Sequence, residues 1–204
     1  MSNTYPSDTD SLRAEIAVMA ARMIAEDGVD YSTAKHKAVK QLLGDTRMQG
    51  SILPDNAQIE EEVRQYNALF FSEMQPARLL HLRQLALQMM EQLQHFSPYL
   101  TGAVLNGTAG QHSDIHLQLF ADSPKDVEIY LLNKNVNFEV SETAHFKKHQ
   151  DPVETISFMW QQEGIHLAVY QPDDLRGALK KGREGQSDRA SIDAVRILIE
   201  ESNE

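Results

Sequence analysis

From Leu12 to Ala25, apolar residues at Leu12, Ile16, Met19, Met23 and Ile24 recur at three- and four-residue steps, the spacing of one helix face. Ser11 is the expected N-cap, and Asp27-Gly28 the stop. A second helix is expected from Ser32 or Thr33, carrying Ala34, Ala38, Leu42 and Leu43 to Gly44. Gly50–Pro54 reads as a loop and Asp55–Phe71 as a third helix. Pro76, in a first-turn position, opens a fourth over Ala77–Gln94, with Leu79, Leu82, Leu85, Leu87, Met89 and Leu93 as its apolar set. Met74, Met89 and Met90 are expected to fill the core.

Beyond Phe96 the period changes. Tyr99–Val104 is a short apolar stretch, and Asp114–Phe120 alternates Ile115, Leu117 and Leu119 with Asp114, His116 and Gln118, as a half-buried strand does. Ser123-Pro124 introduces a helix over Lys125–Asn133. Strand-like segments follow at Phe138–Phe146, Val153–Trp160 and Ile165–Tyr170, with Gln161–Gly164 as a hairpin loop between the last two. A closing helix is expected over Arg189–Glu201, its stripe formed by Ile192, Val195, Leu198 and Ile199. The pattern predicts an α+β chain: a helical region over 1–96, then a mixed sheet with flanking helices over 97–204. No repeat or low-complexity tract interrupts it.

Composition narrows the chemistry. The 204 residues include no cysteine, which removes thiolate catalysis, cysteine-based zinc sites and iron–sulfur clusters and fits a reducing compartment. The net charge of −11 argues against broad affinity for a phosphate backbone. Lys35, Lys37 and Lys40 lie in a helix–turn–helix-like opening, yet no helix with a basic face follows, so nucleic acid is not an expected partner. Arg176, Lys180, Lys181 and Arg183 read as a solvated helix end and loop. No apolar run approaches the roughly 18 residues of a membrane span, and Met1–Asp10 is polar. A cytoplasmic protein without membrane contact is the expectation.

The stretch Leu100–Leu119, LTGAVLNGTAGQHSDIHLQL, concentrates the candidate chemistry. A strand ends in Gly102, a glycine-containing turn and short helix follow, and a second strand opens with Ser113-Asp114-Ile115-His116. This arrangement resembles the signature of the DNA polymerase beta-like nucleotidyltransferase superfamily, whose strand glycine is followed, after a spacing matched here by Val104–Ser113, by Asp-x-Asp or Asp-x-Glu. The resemblance spans roughly Tyr99–Leu175. It implies a minimal nucleotidyltransferase-like sheet that binds a nucleoside triphosphate and divalent metal and transfers a nucleotide to an acceptor. In this reading Gly102, Ala103, Gly107, Thr108 and Ser113 shape the phosphate pocket, and Asp114, His116 and His166 occupy the catalytic and metal-ligand positions. Carboxylates two residues apart on a strand point the same way and can share magnesium ions that flank the transferring phosphate.

The chain departs from that pattern where the metal chemistry is concentrated. Ala103 replaces the serine or glycine after the strand glycine. His116 stands at the second acid, and alignment of Ile165–Tyr170 puts His166 at the third, with Glu154 as another candidate acid. Neutral imidazole is a poor substitute for a hard oxygen ligand of magnesium, whereas one aspartate and two histidines suit zinc, iron or manganese. The alternative function is a non-catalytic module of the same fold, serving as a nucleotide sensor or protein-interaction domain. The helical region, and the Ala77–Gln94 helix in particular, would then supply a protein-partner or homodimer surface. His145 and His149, flanking Lys147-Lys148, are expected in an exposed loop, and His112 in the turn over the nucleotide site; His81 and His95 receive no role. Neither a Gly-x-Ser-x-Gly elbow nor a phosphate-binding P-loop is present.

Overall fold

The computed structural model describes residues 8–44, 52–147, 149–175 and 188–202. Among them are seven α-helices and one five-stranded mixed sheet, with helices first: an α+β chain. It divides into two compact units, Met1–Gln75 with Thr108–His112, and Pro76–Gly107 with Ser113–Glu204.

The first unit is built from α1 (Asp8–Asp27), α2 (Tyr31–Leu43) and α3 (Asn56–Phe70). Ser11 lies inside α1 rather than capping it; the polar segment before Leu12 continues the helix, with Asp10 well placed near a helix N-terminus. Ile16, Ala17, Ala20 and Ala21 of α1 meet Ala34, Ala38 and Val39 of α2 and Ile59 and Val63 of α3. Alanine at these positions lets helices approach closely, and so Leu12, Met19, Met23 and Ile24 flank the core half-buried. Asp30 caps α2 by accepting from the Thr33 amide at 3.0 Å, and Asp55 and Gln58 form a reciprocal capping box on α3. The Asn67 and Gln75 side-chain amides donate to the Thr108 and Ala109 carbonyls at 3.4 and 2.9 Å, holding 108–112 within this unit. Met74, expected in a core, is 68% exposed because it sits in the turn after α3, beyond the packed helix face.

The second unit is organised by its sheet, in the order β1-β2-β5-β4-β3. β1 (Tyr99–Thr101) runs antiparallel to β2 (Ile115–Phe120), and β2 runs parallel to β5 (Glu163–Tyr170). β4 (Val153–Trp160) and the exposed edge strand β3 (Glu139–Thr143) complete it in antiparallel fashion. Ile115, Leu117 and Leu119 align with Ile165, Leu167 and Val169, all buried, while His116 aligns with His166 on the opposite face. The stretch Phe138–Phe146 contributes only its central residues to a strand. The hairpin between β4 and β5 is tighter than the expected Gln161–Gly164 loop: Gln161 and Gln162 both take positive φ, 49° and 69°, and Trp160 pairs with Glu163. Two left-handed residues match the twist of the strands they join.

Helices close the unit. α4 (Gln75–Gln92) enters it from Pro76 onward and buries Leu82, Leu85, Ala86, Met89 and Met90. α5 (Gly102–Asn106) is a single turn between β1 and β2; α6 (Pro124–Asn133) is capped by Ser123, and α7 (Ile192–Glu201) by Ser191. Arg83 of α4 is buried, and its guanidinium donates to the Val104 carbonyl at 3.1 Å, the Leu105 carbonyl at 3.3 Å and Ser202 Oγ at 3.1 Å. The end of α5 therefore has its otherwise unpaired carbonyls satisfied by a cation, which also suits the negative end of a helix.

Replacing Arg83 with leucine strands those acceptors. Each buried unpaired acceptor costs about 1–3 kcal/mol, so the urea midpoint of Arg83→Leu is expected to fall by the equivalent of about 2 kcal/mol or more. Arg83→Lys should restore only part of this, because one ammonium cannot span three oxygens in a fork.

Candidate functional site

Two consequences of the parallel β2–β5 pairing define the site. His116 and His166 occupy the same register position on adjacent strands, and their rings stack at 4.7 Å with planes 16° apart. Asp114, immediately before β2, stands over Gly164 of β5. A β-carbon at position 164 would collide with Asp114 Oδ1, so the absence of a side chain there leaves the space the carboxylate fills.

Asp114 Oδ2 lies 3.1 Å from His166 Nε2, and the other ring nitrogen, Nδ1, lies 2.8 Å from Ser157 Oγ on β4. Ser157 is the antiparallel register partner of His166. An ionised aspartate only accepts, so Nε2 carries the proton in the neutral ring and Nδ1 is left to accept from the Ser157 hydroxyl. The three side chains are thus joined in one directed hydrogen-bond chain. Asp114, Ser157, Gly164 and His166 share a cavity of about 850 Å³ with Asn135–Glu139, Phe158 and Met159. Asn135 takes a left-handed conformation, φ 57°, just after α6, as asparagine tolerates at a helix end; it turns the chain along the cavity wall toward β3.

The remaining sequence candidates are dispersed. Gly102 opens α5 with φ 71°, a left-handed turn suited to glycine, and a β-carbon there would be in ordinary contact with His116. Ala103 is half-buried in α5, and Gly107 ends the helix with φ 84°. With one turn only, α5 has little macrodipole to offer a phosphate. Thr108 is buried in the first unit, where His112 also lies, close against Gly28. Ser113 is half-buried beside Asp114 in the second unit.

Electrostatics separate the two histidines. His116 is exposed as a residue, yet the protein around its ring removes hydration and holds its pKa below the usual histidine value; repulsion from His166 adds to this and outweighs attraction to Asp114. Arg78 pairs through both terminal nitrogens with Glu163, one contact at 2.6 Å, and holds that carboxyl below the usual range. Its charge is thereby committed beside the site. Glu154 pairs across β3 with Glu142 and shares a hydrogen bond with Glu128 that raises its own pKa. It lies outside the cavity lining.

Among the described residues, no three His, Asp or Glu side chains converge as a metal-holding group. The donor set itself explains this: His166 has both ring nitrogens engaged, His116 lies flat against it, and a single carboxylate is present where magnesium favours several hard oxygens. The residues do not fit a metal centre of the magnesium type.

One cluster was not legible as such. His145, expected in an exposed loop, has a side chain only 6% exposed. It lies 3.2 Å from Asp174, which also accepts from Lys147 at 2.5 Å, and its ring meets Tyr170 and Phe146. Burial pushes the Asp174 carboxyl up, but the two hydrogen bonds win and hold it below its ordinary value. Arg176, Lys180, Lys181 and Arg183 lie outside the described residues. No described helix is long and apolar enough to cross a membrane.

No family model matches this chain, and no curated protein matches it. Among solved structures, a chain in the structure of the GLD-2/RNP-8 complex is similar at 20% identity and a TM-score of 0.30, over 57% of this chain and 48% of that one.

Two outcomes follow from the site. Gly164 has no left-handed φ, so Gly164→Ala should fold while displacing the Asp114 carboxylate; the downfield imidazole N–H resonance of His166 should be lost or shifted in the proton NMR spectrum. For His116, the unfolded chain binds its proton at a higher pH than the folded chain does. Stability should therefore fall as pH drops through about 6.5, the unfolded value. His116→Gln should flatten that dependence in denaturation curves compared at about pH 7.5 and about pH 5.5.

Proposed function

We propose that the second unit is a nucleotidyltransferase-like domain that has given up metal-dependent transfer and binds a nucleoside-class ligand in its cleft. The observation that carries this reading is the β2–β5 register. It brings Asp114, His116 and His166 together, and the resemblance of the Leu100–Leu119 stretch implies acids for those positions. A β1–α5–β2 unit with a left-handed Gly102, followed by a parallel strand, supports the same reading.

The ligand class follows from the cavity wall. Phe138 offers ring surface, and Asn135 and Asn137 offer amide donors and acceptors suited to a base edge. Among the described residues, the charged side chains lining it are Asp114 and Glu139, with no arginine or lysine. Without a metal to bridge, a triphosphate meets net negative charge there, whereas an uncharged base and sugar do not.

A ligand that binds only the folded state raises the melting temperature by mass action. Nucleosides at about 100 times their dissociation constant are expected to shift the transition, by a stabilisation of about 2.7 kcal/mol. Asn137→Leu and Phe138→Ala should remove the shift. Magnesium, manganese or zinc should not potentiate nucleoside triphosphates. A shift that needs both a triphosphate and a metal ion would restore the transferase reading and overturn this one.

A further inference from the structure

We propose that Ser157, His166 and Asp114 form a serine–histidine–aspartate relay, with Ser157 a nucleophile toward small, uncharged carboxylic esters in the cleft. The proposal uses the same cavity as the nucleoside reading but does not rest on it. Three observations converge. Ser157 Oγ is 2.8 Å from His166 Nδ1, His166 Nε2 is 3.1 Å from Asp114 Oδ2, and all three residues line the cavity of about 850 Å³. The aspartate fixes the Nε2–H tautomer, so the Nδ1 lone pair faces the serine hydroxyl, ready to take its proton. Serine addresses Nδ1 and aspartate Nε2; such relays are recognised by role and geometry rather than by which nitrogen serves.

The steps balance without a cofactor. As Ser157 Oγ bonds to the ester carbonyl carbon, its proton passes to His166 Nδ1, and Asp114 stabilises the imidazolium. Collapse of the tetrahedral intermediate breaks the carbon–alkoxy bond, and the leaving oxygen takes the proton from Nδ1. The acyl group is now on Ser157. Water then adds to the acyl carbon, giving its proton to Nδ1; on collapse the Ser157 C–O bond breaks and Oγ is reprotonated from Nδ1. Ester and water become acid and alcohol. Asn135 and Asn137, in the same cavity, carry side-chain N–H donors of the kind that receive the transient oxyanion. Val136, Phe138 and Met159 give the acyl chain an apolar wall, and Asp114 and Glu139 disfavour anionic esters. Ser157 and His166 are the catalytic residues; Asp114 is a positioning residue.

The full chain is treated with a fluorophosphonate probe and with p-nitrophenyl acetate, followed by intact-mass and peptide mapping. One phosphonyl adduct on Ser157 is expected. Folded Ser157→Ala, checked by circular dichroism, should take no adduct and turn over ester at the buffer rate. Asp114→Asn should label at least about tenfold more slowly, since the imidazole loses its orienting acceptor. The chain has no cysteine, so Ser157→Cys supplies an independent reading: its thiol should react with iodoacetamide about tenfold faster than free cysteine at neutral pH, because His166 draws off the proton. No adduct on the folded wild type, an adduct surviving in Ser157→Ala, labelling of Asp114→Asn at the wild-type rate, or a Ser157→Cys thiol no faster than free cysteine would each overturn the proposal. Loss of labelling alongside an intact nucleoside-induced melting shift would sink this inference alone.

Discussion

The parallel pairing of β2 with β5 is the constraint from which the site descends. These two central strands bury Ile115, Leu117 and Leu119 against the row Ile165, Leu167 and Val169. A slip of one residue would turn every one of those side chains to the opposite face. The apolar rows lock the register, and the register alone brings His116 beside His166 and Asp114 over Gly164. The polar geometry is thus a by-product of core packing, and it is held by far more burial free energy than its own hydrogen bonds supply. β4 adds Ser157 by the same means, since the hairpin that pairs Trp160 with Glu163 also pairs Ser157 with His166.

Much of this was legible in the chain. Alternation located β2, β4 and most of β5, and helical spacing with Gly44, Asp55 and Ser123 located the helices. What sequence could not show was the meaning of Gly164. A glycine that follows Gln161-Gln162-Glu163 at the end of a strand reads as the residue of a turn. Here Gln161 and Gln162 take the left-handed conformations themselves, and Gly164 sits inside β5, where it makes room for a carboxylate distant in sequence. Ser157 was hidden for the same reason. Its partnership with His166 depends on a two-residue turn that nothing in Gln161-Gln162 announces, because asparagine and glycine are the usual marks of such a turn. His145 was missed differently, its burial arising from Tyr170 and Asp174, on segments that local pattern cannot bring to it.

The site also shows how a change of ligand atoms redirects a scaffold. An aspartate and two imidazoles on neighbouring strands can be drawn toward a cation or toward one another. In this chain His166 spends both nitrogens on protein partners, and His116 stays stacked, its pKa held below the usual value by desolvation. That arrangement suits proton movement within the protein better than the gathering of hard oxygens round magnesium.

Arg83 carries a further implication, for how the chain is made. Its guanidinium joins Val104 and Leu105 to Ser202, so the second unit is not closed until α7 has left the ribosome. The three helices of the first unit lie within the first 75 residues, so they leave the ribosome early. The buried face of α4, with Leu82, Leu85, Met89 and Met90, belongs by contrast to the second unit, whose strands and α7 are translated after it. During that interval it is an amphipathic helix awaiting its partners, the kind of surface that holding chaperones engage. A ribosome stalled before Ser191 would therefore display a folded first unit beside a second that remains sticky and incomplete.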